Sequence, residues 1–141
     1  MNDLEKAKAL LQQDTTCVLY RDGKVYTSHH RGVAPLLTWL DSGIDVRGYS
    51  AADRVVGKAT AFLYCLLGVT AVYARVMSEP ALRVLTQGGI CAQYDVLVTG
   101  IQNRAKDGPC PLEYATSRLS DAAEALEAIR STLDSLRQLP S

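Results

Sequence analysis

The chain has no surplus of charge of either sign: fifteen Lys and Arg balance fifteen Asp and Glu over 141 residues. No global positive field therefore exists to gather nucleic acid or an anionic membrane surface, and neither partner is expected. A long apolar run is also missing, because every hydrophobic stretch meets Arg, Lys or Gly too soon to span a bilayer. The opening Met1-Asn2-Asp3-Leu4-Glu5-Lys6 has neither the basic start nor the apolar block of a signal peptide. Cys17, Cys65, Cys91 and Cys110 form no Cys-x-x-Cys pair and no dense disulfide framework, so a cytoplasmic, thiol-bearing protein is expected. The two histidines, His29 and His30, are adjacent and have no Cys at ligand spacing; no metal or other cofactor is expected. Internal repeats and low-complexity linkers are absent as well. What is present, 48% hydrophobic and 21% charged residues, is the composition of one ordinary globular domain over residues 1–141.

Helical spacing of Leu4, Ala7, Leu10 and Leu11 predicts a first helix over residues 3–13. Asp22-Gly23, set between the β-prone runs 17–20 and 25–27, predicts a hairpin, since its tight turn needs a positive φ. Residues 34–42 read as a helix started by Pro35 and stopped by Gly43. Ser50 followed by Asp53 resembles a capping box, and the apolar residues from Val55 to Leu67 predict one central buried helix over 50–67. A strand over 69–76, a helix from Ser78 to Gly88-Gly89, and a strand over 94–98 follow. Residues 111–138 predict one long C-terminal helix with an apolar seam from Leu119 to Leu136. That seam either packs on the protein's own sheet or pairs two subunits. The order implies an α/β/α sandwich whose mixed, mostly parallel sheet carries an N-terminal antiparallel hairpin.

Three segments carry a family resemblance: residues 53–61 (Asp-Arg-Val-Val-Gly-Lys-Ala-Thr-Ala), Tyr73-Ala74-Arg75-Val76-Met77-Ser78, and Asn103-Arg104 leading to Cys110-Pro111-Leu112-Glu113. Together they are similar to a family of small prokaryotic proteins with a cytidine-deaminase-like fold, over residues 15 to 115. The resemblance implies that fold without the deaminase zinc signature. Zinc deaminases need His or Cys ligands and a proton-shuttling Glu at two helix starts. The starts expected here, Ser50-Ala51-Ala52-Asp53 and Ser78-Glu79-Pro80-Ala81, offer neither thiolate nor imidazole.

Gly57-Lys58 invites comparison with a phosphate-binding P-loop, but Ala52 stands where the earlier Gly belongs and Gly57 is expected inside a helix. Gly57 then serves either close packing or a ligand's approach. Lys58 either reaches solvent or supplies a charge beside that ligand. Asp53 and Ser78 read first as helix caps, and second as a site carboxylate and a nucleophile. Cys110, ahead of Pro111 and Glu113, is either a structural thiol or one activated at a helix start to act as nucleophile or redox group. Asn103 and Arg104 leave the last strand at its carboxyl end, where ligands collect in open α/β sheets. The leading expectation is a small anionic ligand, nucleotide-like by fold analogy alone, bound between two helix starts with Lys58 and Arg104, and with Asp53, Gly57, Ser78, Asn103 and Glu113 completing the binding residues. The alternatives are an enzyme using Cys110 and a homodimeric interaction module built on the C-terminal seam.

Overall fold

A computed structural model describes residues 1–102, 108 and 110–138. Five strands form one sheet in the order β2-β1-β3-β4-β5. The strands are β1 (Cys17–Arg21), β2 (Lys24–Ser28), β3 (Ser50–Val56), β4 (Ala71–Ser78) and β5 (Cys91–Val98). The β1–β2 and β1–β3 pairs are antiparallel, while β3–β4 and β4–β5 are parallel. At the hairpin turn Asp22 (φ 48°) and Gly23 (φ 84°) both adopt the left-handed region that a two-residue turn requires.

Helix α1 (Asp3–Leu10) lies on one face of the sheet, where Leu4, Ala7 and Leu11 pack against Val18, Ala52 and Tyr73. The opposite face carries α2 (Ala34–Ser42), α3 (Lys58–Leu67), α4 (Glu79–Gln87), α5 (Pro111–Thr116) and α6 (Ala122–Gln138). Leu36, Phe62, Leu63, Tyr64, Leu85 and Ile129 form the centre of that larger core. The result is three layers, α1 over the sheet over the remaining helices, as the element order implies.

Two expected elements require correction. Residues 50–67 are not one helix: 50–56 form the central strand β3, and the helix begins only at Lys58 with Gly57 as its N-cap. Asp53 and Ser50 therefore cap nothing; Asp53 lies in the ladder opposite Cys17 and Ala74. Ala51-Ala52-Asp53-Arg54 favours a helix locally. A central strand buried on both faces, however, shows no alternation to betray it, and pairing on two sides overrides the local preference. The second correction concerns 111–138, which divides into α5 and α6 around residues 117–121. Folding back there lets Ala125 and Ile129 reach the core, with Leu119, Leu126 and Leu133 beside them. From Leu119 to Leu133 the seam thus faces the chain's own interior, while Leu136 is exposed. Smaller shifts move the two later strands to 71–78 and 91–98.

Candidate functional site

Val56 and Met77 are register partners, so β3 and β4 end side by side and launch α3 and α4 from the same edge of the sheet. The expected convergence of two helix starts is present, one of them displaced from Ser50 to Gly57. Each start is capped from within. At α4 the buried Ser78 hydroxyl accepts from the Ala81 N–H at 3.1 Å. At α3 the carboxylate of Glu113, brought over by α5, lies against Gly57 at the helix start, where the Lys58 and Ala59 N–H groups favour its charged form. Partial burial pushes the Glu113 carboxyl above its ordinary range, while those two N–H groups and the Lys58 ammonium oppose the shift.

This cap explains Gly57. Its φ of −96° needs no glycine, but a Cβ there would fall 1.7 Å from Glu113 Oε1 and 2.7 Å from Glu113 Cδ. Close approach of the Glu113 carboxylate is what excludes a side chain. Lys58 in turn donates from Nζ to the Ser117 carbonyl at 2.9 Å, anchoring the end of α5. Desolvation, with Arg83 nearby, lowers its pKa.

Beside the α3 start, at the carboxyl end of β3, opens a cavity of about 360 Å³. Its polar lining comprises Thr16, Arg31, Asp53, Arg54, Thr60, Cys110 and Glu113; Val33, Val55, Ile101 and Leu112 supply apolar wall. Of the sequence-derived site residues, Asp53, Gly57, Cys110 and Glu113 meet here. Lys58 does not line this cavity; it borders a separate depression with Arg83 and Leu119. Ser78 is buried in its capping role, and Asn103 and Arg104 lie outside the described residues. The expected pocket built on Lys58 is therefore replaced by one built on Asp53.

Asp53 is the most constrained group on this wall. Its Oδ1 accepts from the Arg54 N–H at 2.8 Å and its Oδ2 from the Tyr64 hydroxyl at 2.6 Å. The Val55 N–H and the Cys17 thiol also favour the charged carboxyl. Cys17 Sγ lies 3.0 Å from the Tyr64 hydroxyl, which closes a buried three-residue cluster. Arg54 has no register partner on β4, so the Asp53 side chain supplies the acceptor that the ladder omits there. Burial dominates the electrostatics and pushes the Asp53 carboxyl up to about 7, against the Arg54 and Tyr64 hydrogen bonds that favour its charged form. Burial and the Asp53 charge likewise drive the Cys17 thiol and the Tyr64 hydroxyl well above their ordinary ranges.

Two guanidinium groups stand on the same cavity. Arg54 Nε donates to the Thr15 carbonyl at 3.0 Å, and its terminal nitrogens have no protein partner among the described residues. Arg31 is exposed and makes no ion pair among the described residues. Sequence reasoning missed Thr16, Arg31, Arg54, Thr60 and Tyr64 as site residues. Arg54 and Thr60 lie inside the quoted family segment, but nothing in spacing marks Arg31, which reaches the cavity through the turn into α2.

Residues 5–133 match the family described as TM1506, domain of unknown function (DUF1893). The chain belongs to the DUF1893 family. The crystal structure of the DUF1893 protein TM1506 from Thermotoga maritima superposes with a TM-score of 0.82 at 25% identity, covering 92% of this chain and 89% of that one. The apo dCMP deaminase of cyanophage S-TIM5 is also similar, with a TM-score of 0.46 and 14% identity over 65% of this chain and 93% of its own. No curated protein matches. Among the described residues no helix is long and apolar enough to cross a membrane.

A deaminase zinc ion would need thiolate or imidazole donors at the two helix starts. This DUF1893 chain presents Gly57 beneath the Glu113 carboxylate at one and a buried, engaged Ser78 hydroxyl at the other. Among the described residues no three His, Cys, Asp or Glu side chains converge as a metal set. Among the described residues the donors at these two helix starts do not fit zinc. Cys110 lines the cavity, but among the described residues no histidine does, so none of them offers the neighbouring imidazole that activates cysteine nucleophiles.

Proposed function

We propose that the cavity at the end of β3 binds a small molecule carrying one anionic group. The observation that carries this reading is the convergence of Arg31 and Arg54 on a cavity that also holds the buried Asp53 carboxyl. Guanidinium forks recognise phosphate and carboxylate with paired, charge-assisted hydrogen bonds. The body of the ligand would lie against Val33, Val55, Ile101 and Leu112, and its polar end would meet Asp53 and Thr60. A nucleotide is the ligand class implied by the deaminase-like resemblance. No aromatic side chain lines the described cavity to stack a base, so the lining addresses the anion first.

Calorimetric titration with inorganic phosphate, sulfate and simple phosphate and carboxylate monoanions tests this. Arg31→Ala should weaken the best of these anions roughly tenfold, the value of one charge-assisted contact. Lys58→Ala, which lies off the cavity, should leave affinity unchanged. Binding that survives Arg31→Ala and is lost in Lys58→Ala would return the site to the α3 start. A chain that binds none of the panel would end the proposal.

A further inference from the structure

The cavity at the end of β3 is lined by charges of both signs: Arg31 and Arg54 share it with Asp53 and Glu113. The Glu113 carboxylate is engaged at the α3 start, against Gly57. Asp53 is placed differently. It is only 8% exposed, and the donors that reach its carboxyl, the Arg54 N–H and the Tyr64 hydroxyl, carry no charge. The Arg54 guanidinium is held instead by the Thr15 carbonyl, and the ion pairs among the described residues use Asp41, Asp45 and Asp134. A carboxylate offers about four acceptor sites, so these two bonds leave others open. Thr60, also 8% exposed and on the same wall, donates no hydrogen bond to a described residue. Two buried polar side chains on one cavity wall thus keep unfilled hydrogen-bonding capacity, and one of them has no counter-charge.

We infer that the cavity selects a zwitterion, a small amine whose ammonium pairs with Asp53 while its phosphate or carboxylate meets Arg31 and Arg54. This rests on the anion site proposed above and adds a second charge to its ligand. An anion alone is accommodated by a neutral Asp53 and repelled by a charged one. A ligand ammonium supplies the missing counter-charge and leaves the charges of the described lining in balance. Its three hydrogens serve Asp53 and Thr60 together. The surroundings of Asp53 already suit a carboxylate: the Arg54 and Val55 N–H groups, the Tyr64 hydroxyl and the Cys17 thiol all favour its charged form, and burial alone opposes it. A cation beside it offsets that one opposing effect. Val33, Val55, Ile101 and Leu112 give the carbon chain between the two charges its apolar wall.

Calorimetry on the full chain with matched pairs of ligands tests the inference: aminoethyl phosphate against ethyl phosphate, leucine against isocaproate, and δ-aminovalerate against valerate. Near pH 8 the amine should improve affinity about tenfold in the best pair, the value of one charge-assisted contact. Between about pH 6 and 8 neither end of the amino acids titrates, so the slope of affinity with pH reports the protein. The zwitterion should bind up to about tenfold tighter as pH rises through this window, while its amine-free partner weakens. Around Asp53, Cys17 on β1 and Tyr64 on α3 stay protonated here, and Arg31 and Arg54 stay charged. Asp53→Asn should remove both slopes and the amine preference, whereas a slope caused by Glu113 or Cys110 would survive it. Equal affinity within every pair, an equal gain from the matching hydroxy acid, or a zwitterion that weakens as pH rises overturns the inference in wild type alone. The anion site then still stands if Arg31→Ala weakens both members of a pair. If no member of any pair binds, the anion site is wrong and the zwitterion falls with it.

Discussion

Gly57→Ala is expected to destabilise the protein by about 2–3 kcal/mol, although its backbone angles suit any residue. The added methyl lands inside the Glu113 carboxyl, and the nearest remaining neighbour is Ile101 Cγ1 at 3.0 Å. Glu113 must withdraw, leaving the Lys58 and Ala59 N–H groups uncapped and freeing the anchor that holds α5 over the cavity. Glu113→Ala alone removes the same cap and should cost a similar amount. Once it is made, the Gly57→Ala change has lost its main obstacle. Chemical denaturation of both single variants and the double variant should therefore give costs well short of additive, with a coupling of about 1–2 kcal/mol. Strict additivity would show that Gly57 and Glu113 do not share one structural role.

Asp53→Asn should change how stability depends on pH. Burial lifts the folded carboxyl from its ordinary 3.8 to about 7, so the folded state binds more protons between those values. The contribution of Asp53 is then fully present below about 4 and is lost as pH rises toward and through about 7, a change on the order of 4 kcal/mol. Asparagine keeps an oxygen for the Arg54 and Val55 N–H groups, does not titrate, and turns its amide toward Tyr64 and Cys17. Wild type should lose stability across that window while the variant stays flatter, so the variant gains on wild type as pH rises. Parallel denaturation curves at pH 5 and pH 8 would show that Asp53 is ionised throughout. The same proton should matter for binding. Sulfate, whose charge is fixed, should bind wild type less tightly as pH rises past 7 and lose that dependence in Asp53→Asn.

Much of the scaffold was legible in the sequence because its signals are local. Asp22-Gly23 gave the hairpin, Pro35 and Gly43 bounded α2, and Ser78 with Pro80 opened α4. The strand that positions the site was not legible. Residues 50–56 combine helix-favouring Ala and Arg with an Asp that suits a helix start, and burial on both faces removes the alternating pattern. That misassignment made Asp53 a helix cap and Gly57 a helix-interior residue and hid their roles: a carboxyl completing a sheet ladder, and a glycine making room for Glu113. Glu113 and Cys110 were singled out from their place at a helix start, and both reach the cavity. Lys58 could not be placed from sequence, because its direction depends on where α5 ends, and Ser117 takes it there. The role of Arg31 comes only from tertiary folding, which brings the turn before α2 alongside β3.

The central claim is that the cavity beside Asp53, not the Lys58 surface, is where a small anion binds. Amide chemical-shift mapping during titration with sulfate and a simple phosphate monoester tests it most directly. The account predicts shifts grouped on Thr16, Gly32, Val55, Thr60 and Cys110, around the cavity wall. Shifts grouped instead on Lys58, Arg83, Gln87 and Leu119, with the cavity residues unmoved, would contradict it.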